Sequence, residues 1–307
     1  METTVLGKTG LEVTRLGAGL AEVGQEHTLD ELSHVGRVLN GALDGGINFL
    51  DTAPCYFYSE EMVGKAIAHR RDEYVLATKC GHPVRDSSVE PWTARTINDT
   101  LEGSLKRLKT DYVDLLQLHS CGVDVLEQGE VIEALMEAKR AGKTRFVGYS
   151  GDNEPALWAV ESGLFDTLQT SFSVTDQHAR TRLLDPAKER GMGVIIKRPI
   201  ASGAWGVATS PSADLKYNPN YADEYLERAQ VMASMGPIPN APNDRILTSL
   251  GFVLAHDEID TAILGTRNPA HMAANQQLIK RLPIADEVVR ELRRRFDEAE
   301  DNWRQLN

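Results

Sequence analysis

The sequence predicts a (β/α)8 barrel from three observations. Short β-branched or apolar runs, INFLD, YVLATK, VDLLQLH, TRFVGYS, TLQTSF, GVIIKRP and TAILGT, alternate with amphipathic stretches from residue 47 onward. Near-continuous apolar strands of this kind are buried on both faces of a parallel sheet. With the apolar run from Val13 to Ala18 as the first, eight strand and helix pairs span the 307 residues, a length such a barrel commonly takes as one domain. The competing architecture, a doubly wound open sheet, needs a Gly-rich phosphate loop between its first strand and a helix. The nearest segment, LGAGL at 16 to 20, runs instead into AEVGQEHTL.

The elements follow in chain order. Residues 1–13 carry a Gly-Lys-Thr-Gly turn between two alternating segments, which reads as a β-hairpin laid across the bottom of the barrel. Helix starts are marked by Thr28 with Glu31 as a capping box, by Thr93 before ARTINDTLEGSLKRL, and by Asn268 with Pro269 at the first helical position. After the seventh strand comes the long irregular region, about residues 201 to 242, rich in Pro, Asn and Tyr. Loops of that length are usually lids or mobile segments. A last helix is expected over 285–304, which closes a single domain covering 1–307.

Composition narrows the function classes. The formal charge of −12 repels nucleic acid and anionic membrane surfaces. No apolar run of about eighteen residues is present and the start METTVLGKTGLEV is not a secretory signal, so the expected compartment is the cytoplasm. Three cysteines, Cys55, Cys80 and Cys121, are an odd number for a chain without an export signal and are expected to be reduced. An acidic protein that binds a phosphorylated ligand must gather its cations locally, which makes clustered Lys and Arg informative.

In a barrel the active site lies at the C-terminal ends of the strands. Asp51, Lys79 and His119 end the second, third and fourth strands at steps of 28 and 40 residues, with Tyr56 just beyond Asp51. Each alone has an ordinary explanation: Asp51 as a turn cap, Lys79 as a solvated strand end, His119 as a satisfied core histidine. Together they are harder to dismiss, because a Lys directly after YVLAT and a His directly after DLLQL are awkward at the edge of a buried layer.

The segment DTAPCYFYSE at 51 to 60, the Lys in ATKCG, the run LEGSLKRLKTDYVDLLQLH at 101 to 119 and the late GTRNPAHMAANQ resemble the aldo-keto reductase superfamily, in order and across nearly the whole chain. The resemblance implies a barrel that binds NADP(H) or NAD(H) in extended form, with Asp51, Tyr56, Lys79 and His119 as the catalytic tetrad. Hydride reduction of a carbonyl leaves an alkoxide that needs a proton, which the Tyr56 phenol can supply. An unperturbed phenol has a pKa of about 10. Lys79, kept cationic by Asp51, is expected to bring it closer to the working pH, and His119 to orient the carbonyl oxygen.

The same resemblance places cofactor contacts. Ser150 and Gln169 stand where the family binds the nicotinamide carboxamide, although Gly151 departs from the commoner Ser-Asn pair. Lys197, Arg198 and Pro199 follow the seventh strand, and with Arg267 after the eighth they put positive charge at the barrel's usual phosphate site. Gly19 and Gly265 line the cofactor, while Thr266 falls where the 2′-phosphate or adenosine is met and Asn275 where the adenine is met. Gly265 and His271 replace the Lys and Arg that flank a 2′-phosphate in many NADP-preferring members, and Arg267 is expected to compensate. The expected cofactor is NADP(H), with NAD(H) the alternative; no metal is expected.

Phe57, Trp92 and Trp205, with Tyr58 beside them, are expected to wall a pocket for aldehydes, ketones or a sugar face. The cysteines are read as small packing residues and not as a redox switch. Reduction of aldehydes or ketones is the leading expectation, ahead of an aldose or sugar-alcohol dehydrogenase on the same site. From a different class comes a cofactor-sensing subunit similar to the potassium-channel β-subunits.

Overall fold

The computed structural model describes residues 1–84, 89–300 and 303–306. A two-stranded antiparallel hairpin, β1 (Thr3–Val5) and β2 (Glu12–Thr14), precedes eight parallel strands that close on themselves. These are β3 (Leu16–Gly19), β4 (Phe49–Asp51), β5 (Val75–Cys80), β6 (Val113–His119), β7 (Thr144–Ser150), β8 (Thr167–Ser171), β9 (Gly193–Lys197) and β10 (Thr261–Gly265). Each pairs with its successor, and β10 pairs with β3 to complete the ring. The (β/α)8 barrel is thus the observed fold. No helix among the described residues is long and apolar enough to cross a membrane.

The strands are buried because helices cover them outside and side chains fill them inside. The helix Leu32–Asp44 shows the pattern: Val35, Val38, Leu39, Ala42 and Leu43 form its buried stripe, and each fully buried Val or Leu contributes roughly 1.5–3 kcal/mol. Inside the barrel, Phe49, Val75, Ala77, Leu115, Ile195 and Ile263 from five strands pack with Leu6, Leu11 and Val13 of the hairpin. The hairpin therefore plugs the bottom, and the Gly7 amide fastens it to the Asp260 carboxylate at 3.1 Å. Val13, expected in the first barrel strand, belongs to β2; the barrel strand starts at Leu16, after the chain has turned out of the hairpin.

The cap signals act as expected. Glu31 accepts the Thr28 amide at 3.0 Å, although the turn it opens, Leu29–Glu31, is 3-10 and leads into the helix at Leu32. Thr93 accepts the Thr96 amide at 3.1 Å and Asn268 accepts the Ala270 amide at 2.9 Å, ahead of Ala94–Leu108 and Pro269–Leu278. Two expectations need correction. The region from 201 to 242 contains the helix Asp223–Ala233, which buries Tyr225, Ala229 and Met232. The last helix runs Asp286–Ala299, short of 304; positions 301 and 302 of the expected span lie outside the described residues.

One close approach sets the loop that follows β4. Gly24 lies in the short helix Ala21–Glu26, and a Cβ there would sit 1.9 Å from the Tyr56 carbonyl oxygen and 2.4 Å from the Ser59 nitrogen. The Ser59 hydroxyl ties the same loop to the Leu20 carbonyl at 2.9 Å. Replacing Gly24 with Ala must push backbone against backbone, so Gly24→Ala is expected to lower unfolding free energy by about 1–3 kcal/mol in urea titrations.

Candidate active site

The site is built at the C-terminal mouth of the barrel. Asp51 ends β4 and Lys79 lies one residue before the end of β5; the two side chains are only 2% and 1% exposed, with Lys79 Nζ 2.5 Å from Asp51 Oδ2. Lys79 also donates to the Thr52 carbonyl at 3.0 Å. The other Asp51 oxygen accepts from Gln117 Nε2 at 3.1 Å and Gln169 Nε2 at 2.8 Å, and the Ser150 hydroxyl donates to Gln169 Oε1 at 2.9 Å. Four strands, β4, β6, β7 and β8, are thereby joined through one carboxylate and its amide partners, and β5 through the ammonium. Burial pulls the Lys79 ammonium down, but the Asp51 and Tyr56 charges outweigh it and hold its pKa above the ordinary lysine value.

Tyr56 stands over this pair. Lys79 Nζ is 4.9 Å from the centre of its ring, and the His119 ring meets it edge-on at 5.8 Å between centroids. Burial pushes the Tyr56 phenol up to about 12, against the pull of Lys79. The lysine does act in the direction the sequence implied, yet desolvation is the larger effect and the net displacement is upward. His119 has Nδ1 3.4 Å from Cys55 Sγ, while His82 packs against its ring at 5.2 Å. Burial, reinforced by the positive charges of Lys79, His82, Lys197 and Arg198, holds the imidazole well below its ordinary pKa, so it is neutral at pH 7.

A cavity of about 610 Å³ opens from Tyr56 and His119, past Ser150, Gln169, Lys197, Arg198 and Pro199, to Gly19, Glu22, Glu26 and Gly265. Its volume falls in the range of ligand pockets, ~300–1,000 Å³. The basic pair is not solvated surface charge. Lys197 Nζ is 2.5 Å from Asp152 Oδ2, and Arg198 donates to the Tyr221 hydroxyl at 2.5 Å and the Ser171 hydroxyl at 3.0 Å. Burial works against the Asp152 carboxylate, but Lys197 and the Ser171 amide hold it below the usual carboxylate range. Glu26 accepts the amides of Lys216 and Tyr217 at 3.1 and 3.2 Å and Arg267 Nη1 at 3.2 Å, so one buried carboxylate fastens the segment after β9 across the cleft.

Other expected residues lie outside the cavity wall. Phe57 meets Tyr217 edge-on at 5.1 Å, Trp92 packs on His82 at 4.7 Å, and Trp205 packs against the core. The wall carries Tyr149, Tyr217 and Tyr221 in their place. The loops bearing Phe57 and Trp92 turn at positive φ, 52° and 60°. Thr266 accepts the Asn268 amide at 3.1 Å, Asn275 sits in the following helix, and Arg267 is bound to Glu26; none of the three lines the cavity.

Sequence reasoning missed Gln117, although a Gln between leucines in a buried strand is a detectable signal. It also missed Asp152, Glu26 and Tyr149. The Tyr149 ring accounts for Gly151: a Cβ at 151 would lie 2.6–2.9 Å from that ring, whose hydroxyl donates to the Cys121 carbonyl at 2.7 Å. Among the described residues, no group of three or more His, Cys, Asp or Glu side chains is placed to hold a metal ion.

A family model described as Aldo/keto reductase family matches residues 15–295. The chain is 30% identical over 295 residues to L-galactose dehydrogenase of Arabidopsis thaliana, covering 92% of this chain and 89% of that one. It is 25% identical over 320 residues to pyridoxal 4-dehydrogenase of Microbacterium luteolum, covering 89% and 92%. The structure of aldo-keto reductase AKR11C1 from Bacillus halodurans, in its holo form, matches with a TM-score of 0.80 at 27% identity over 96% of both chains.

The Asp51 to Lys79 pair yields a stability prediction. Asp51→Asn leaves a buried ammonium without its counter-charge and is expected to cost about 3–5 kcal/mol. Lys79→Met added to Asp51→Asn is expected to recover most of that loss in chemical denaturation. An unchanged unfolding midpoint in the single variant counts against the pair as drawn.

Proposed function

The chain belongs to the aldo/keto reductase family, and from that premise we propose that it reduces aldehydes or ketones to alcohols with NADP(H), Tyr56 being the proton donor. The observation that carries this reading is the convergence of Lys79 on Asp51 at 2.5 Å beneath the Tyr56 ring, with the His119 ring at its edge. A nicotinamide dinucleotide fits the residues of the cleft, whose wall offers the cations Lys197 and Arg198 and the Ser202 side chain for a pyrophosphate. When bound, that group supplies the hydride. Ser150 and Gln169 would hold its carboxamide, Lys197, Arg198 and Pro199 its phosphates, and Gly19 and Gly265 would border it, with Thr266 and Asn275 toward the adenosine.

The protein's own part is to place and protonate the carbonyl. The oxygen is received between the Tyr56 hydroxyl and the His119 imidazole, both of which line the cavity. A phenol whose pKa is about 12 keeps its proton at neutral pH and gives it up only as negative charge develops on that oxygen. Lys79 stabilises the tyrosinate so formed, and Asp51 keeps Lys79 charged and in place.

A second reading, oxidation of a sugar or sugar alcohol on the same site, is supported by the relative named L-galactose dehydrogenase and by the hydroxyl-bearing wall of Tyr149, Tyr217 and Tyr221. In that direction Tyr56 must first lose its proton, so turnover is expected to rise with pH. A panel of carbonyl compounds and aldoses, assayed in both directions with both cofactors, distinguishes the readings.

Two predictions test the proposal. Tyr56→Phe is expected to lower carbonyl reduction by about 10²- to 10⁴-fold while cofactor affinity, read by fluorescence titration, stays unchanged; an intact rate refutes the proton-donor assignment. The choice of NADP(H) rests on Arg267, which is 37% exposed and held to Glu26 by a contact of 3.2 Å, so that its guanidinium can turn to a 2′-phosphate. Arg267→Ala is expected to weaken NADPH binding much more than NADH binding, and equal losses count against NADP(H).

A further inference from the structure

Cys55 immediately precedes Tyr56 and has no role in the proton transfer above. It differs from the other two cysteines in what it touches. Cys80 donates to the Gln117 carbonyl at 3.5 Å inside the barrel wall and Cys121 is buried in the core, whereas Cys55 Sγ lies 3.4 Å from Nδ1 of His119. Since His119 lines the cavity and its Nδ1 is turned to sulfur, Nε2 is the nitrogen left for a ligand.

A neutral imidazole carries one N–H and one lone pair, and the group bonded to one nitrogen decides what the other presents. Two arrangements are compatible with the Cys55 contact. If the thiol donates to Nδ1, Nε2 carries the proton and faces the cavity as a donor. If Nδ1 carries the proton and points at sulfur, Nε2 presents a lone pair. Sulfur is a weak partner in either role, as donor or as acceptor, and the first arrangement is the one that leaves Nε2 a donor toward an oxygen entering the cavity that His119 lines. The thiol has its proton to give: burial pushes it up to about 11 against the pull of Lys79. The same protonation leaves it a poor nucleophile at neutral pH, in keeping with a hydrogen-bonding role.

We infer that Cys55 is a positioning residue: its S–H donates to His119 Nδ1 and fixes the imidazole as the Nε2–H tautomer. A carbonyl oxygen entering the site then meets two donors, the Tyr56 hydroxyl and His119 Nε2–H. In the opposite tautomer it would meet one donor and one repelling lone pair. The consequence for turnover rests on the carbonyl-reduction reading; the tautomer itself is a property of the protein alone.

Nitrogen-15 NMR of the imidazole at pH 7, with the His119 signals assigned by His119→Gln, reads the tautomer directly. Wild type is expected to show protonated Nε2 and unprotonated Nδ1. Cys55→Ala is expected to shift the population toward Nδ1–H, and Cys55→Ser, which restores a donor, to shift it back. In parallel, kcat/KM for an aldehyde is expected to fall about 3- to 10-fold in Cys55→Ala, the worth of one such hydrogen bond, and to recover in Cys55→Ser, with cofactor affinity unchanged in both. A wild-type spectrum showing Nδ1–H overturns the inference without any variant, so it remains exposed even if Cys55→Ala does not fold. An unchanged tautomer in a folded Cys55→Ala protein overturns it too. The expected tautomers without turnover of any carbonyl substrate would uphold the positioning role and defeat the reductase reading.

Discussion

An ammonium group that is 1% exposed needs a counter-charge, and Lys79 has one in Asp51 at 2.5 Å. That requirement propagates. The remaining Asp51 oxygen is saturated by the Gln117 and Gln169 amides. The Gln169 carbonyl oxygen is then free to accept from Ser150. A buried pair of this sort seldom adds net stability over an apolar pair of equal shape, because desolvation of both ions offsets their attraction. Its effect is positional: it holds a fixed positive charge under the Tyr56 ring, 4.9 Å from the ring centre.

The same logic organises the cleft. In a chain of net charge −12, the cations beside the cavity are each held by a carboxylate or hydroxyl of this protein: Lys197 by Asp152, Arg198 by Tyr221 and Ser171, Arg267 by Glu26. A phosphorylated ligand bound as proposed would exchange partners with groups already aligned. The carboxylates keep those cations oriented, and they also reduce the local excess of positive charge that a ligand meets. Glu26 carries a second load, since the amides of Lys216 and Tyr217 lie on the same two oxygens.

What was legible in the sequence was whatever burial imposes on consecutive residues. Strands enclosed on both faces read as apolar runs, their ends read as polar interruptions, and caps read as Thr93 and Asn268. Asp51, Tyr56, Lys79 and His119 could be brought together on paper because barrel topology carries successive strand ends to one mouth. Less was legible where meaning depends on a distant partner. Arg267 looks free until Glu26 is seen against it, and Gly151 looks like a lost contact until the Tyr149 ring fills its place. The aromatics Phe57, Trp92 and Trp205 were placed in the wall by type and proximity alone, whereas Phe57 packs on Tyr217 and Trp92 on His82. The helix Asp223–Ala233 was hidden by the Pro and Asn residues on either side of it.

The seam of the barrel has a consequence for how this molecule is assembled. Gly19 and Gly265 are register partners across the β3 and β10 pairing, and both border the cleft, yet almost the whole chain separates them. Such non-local parallel pairing is slow to form, because the entropy of closing a long loop is lost before any contact repays it. The network of Asp51, Lys79, Gln117 and Gln169 spans only β4 to β8 and does not require the seam. The ion pair and its amide partners are thus held within β4 to β8, while the cleft they border is completed by the seam at Gly19 and Gly265.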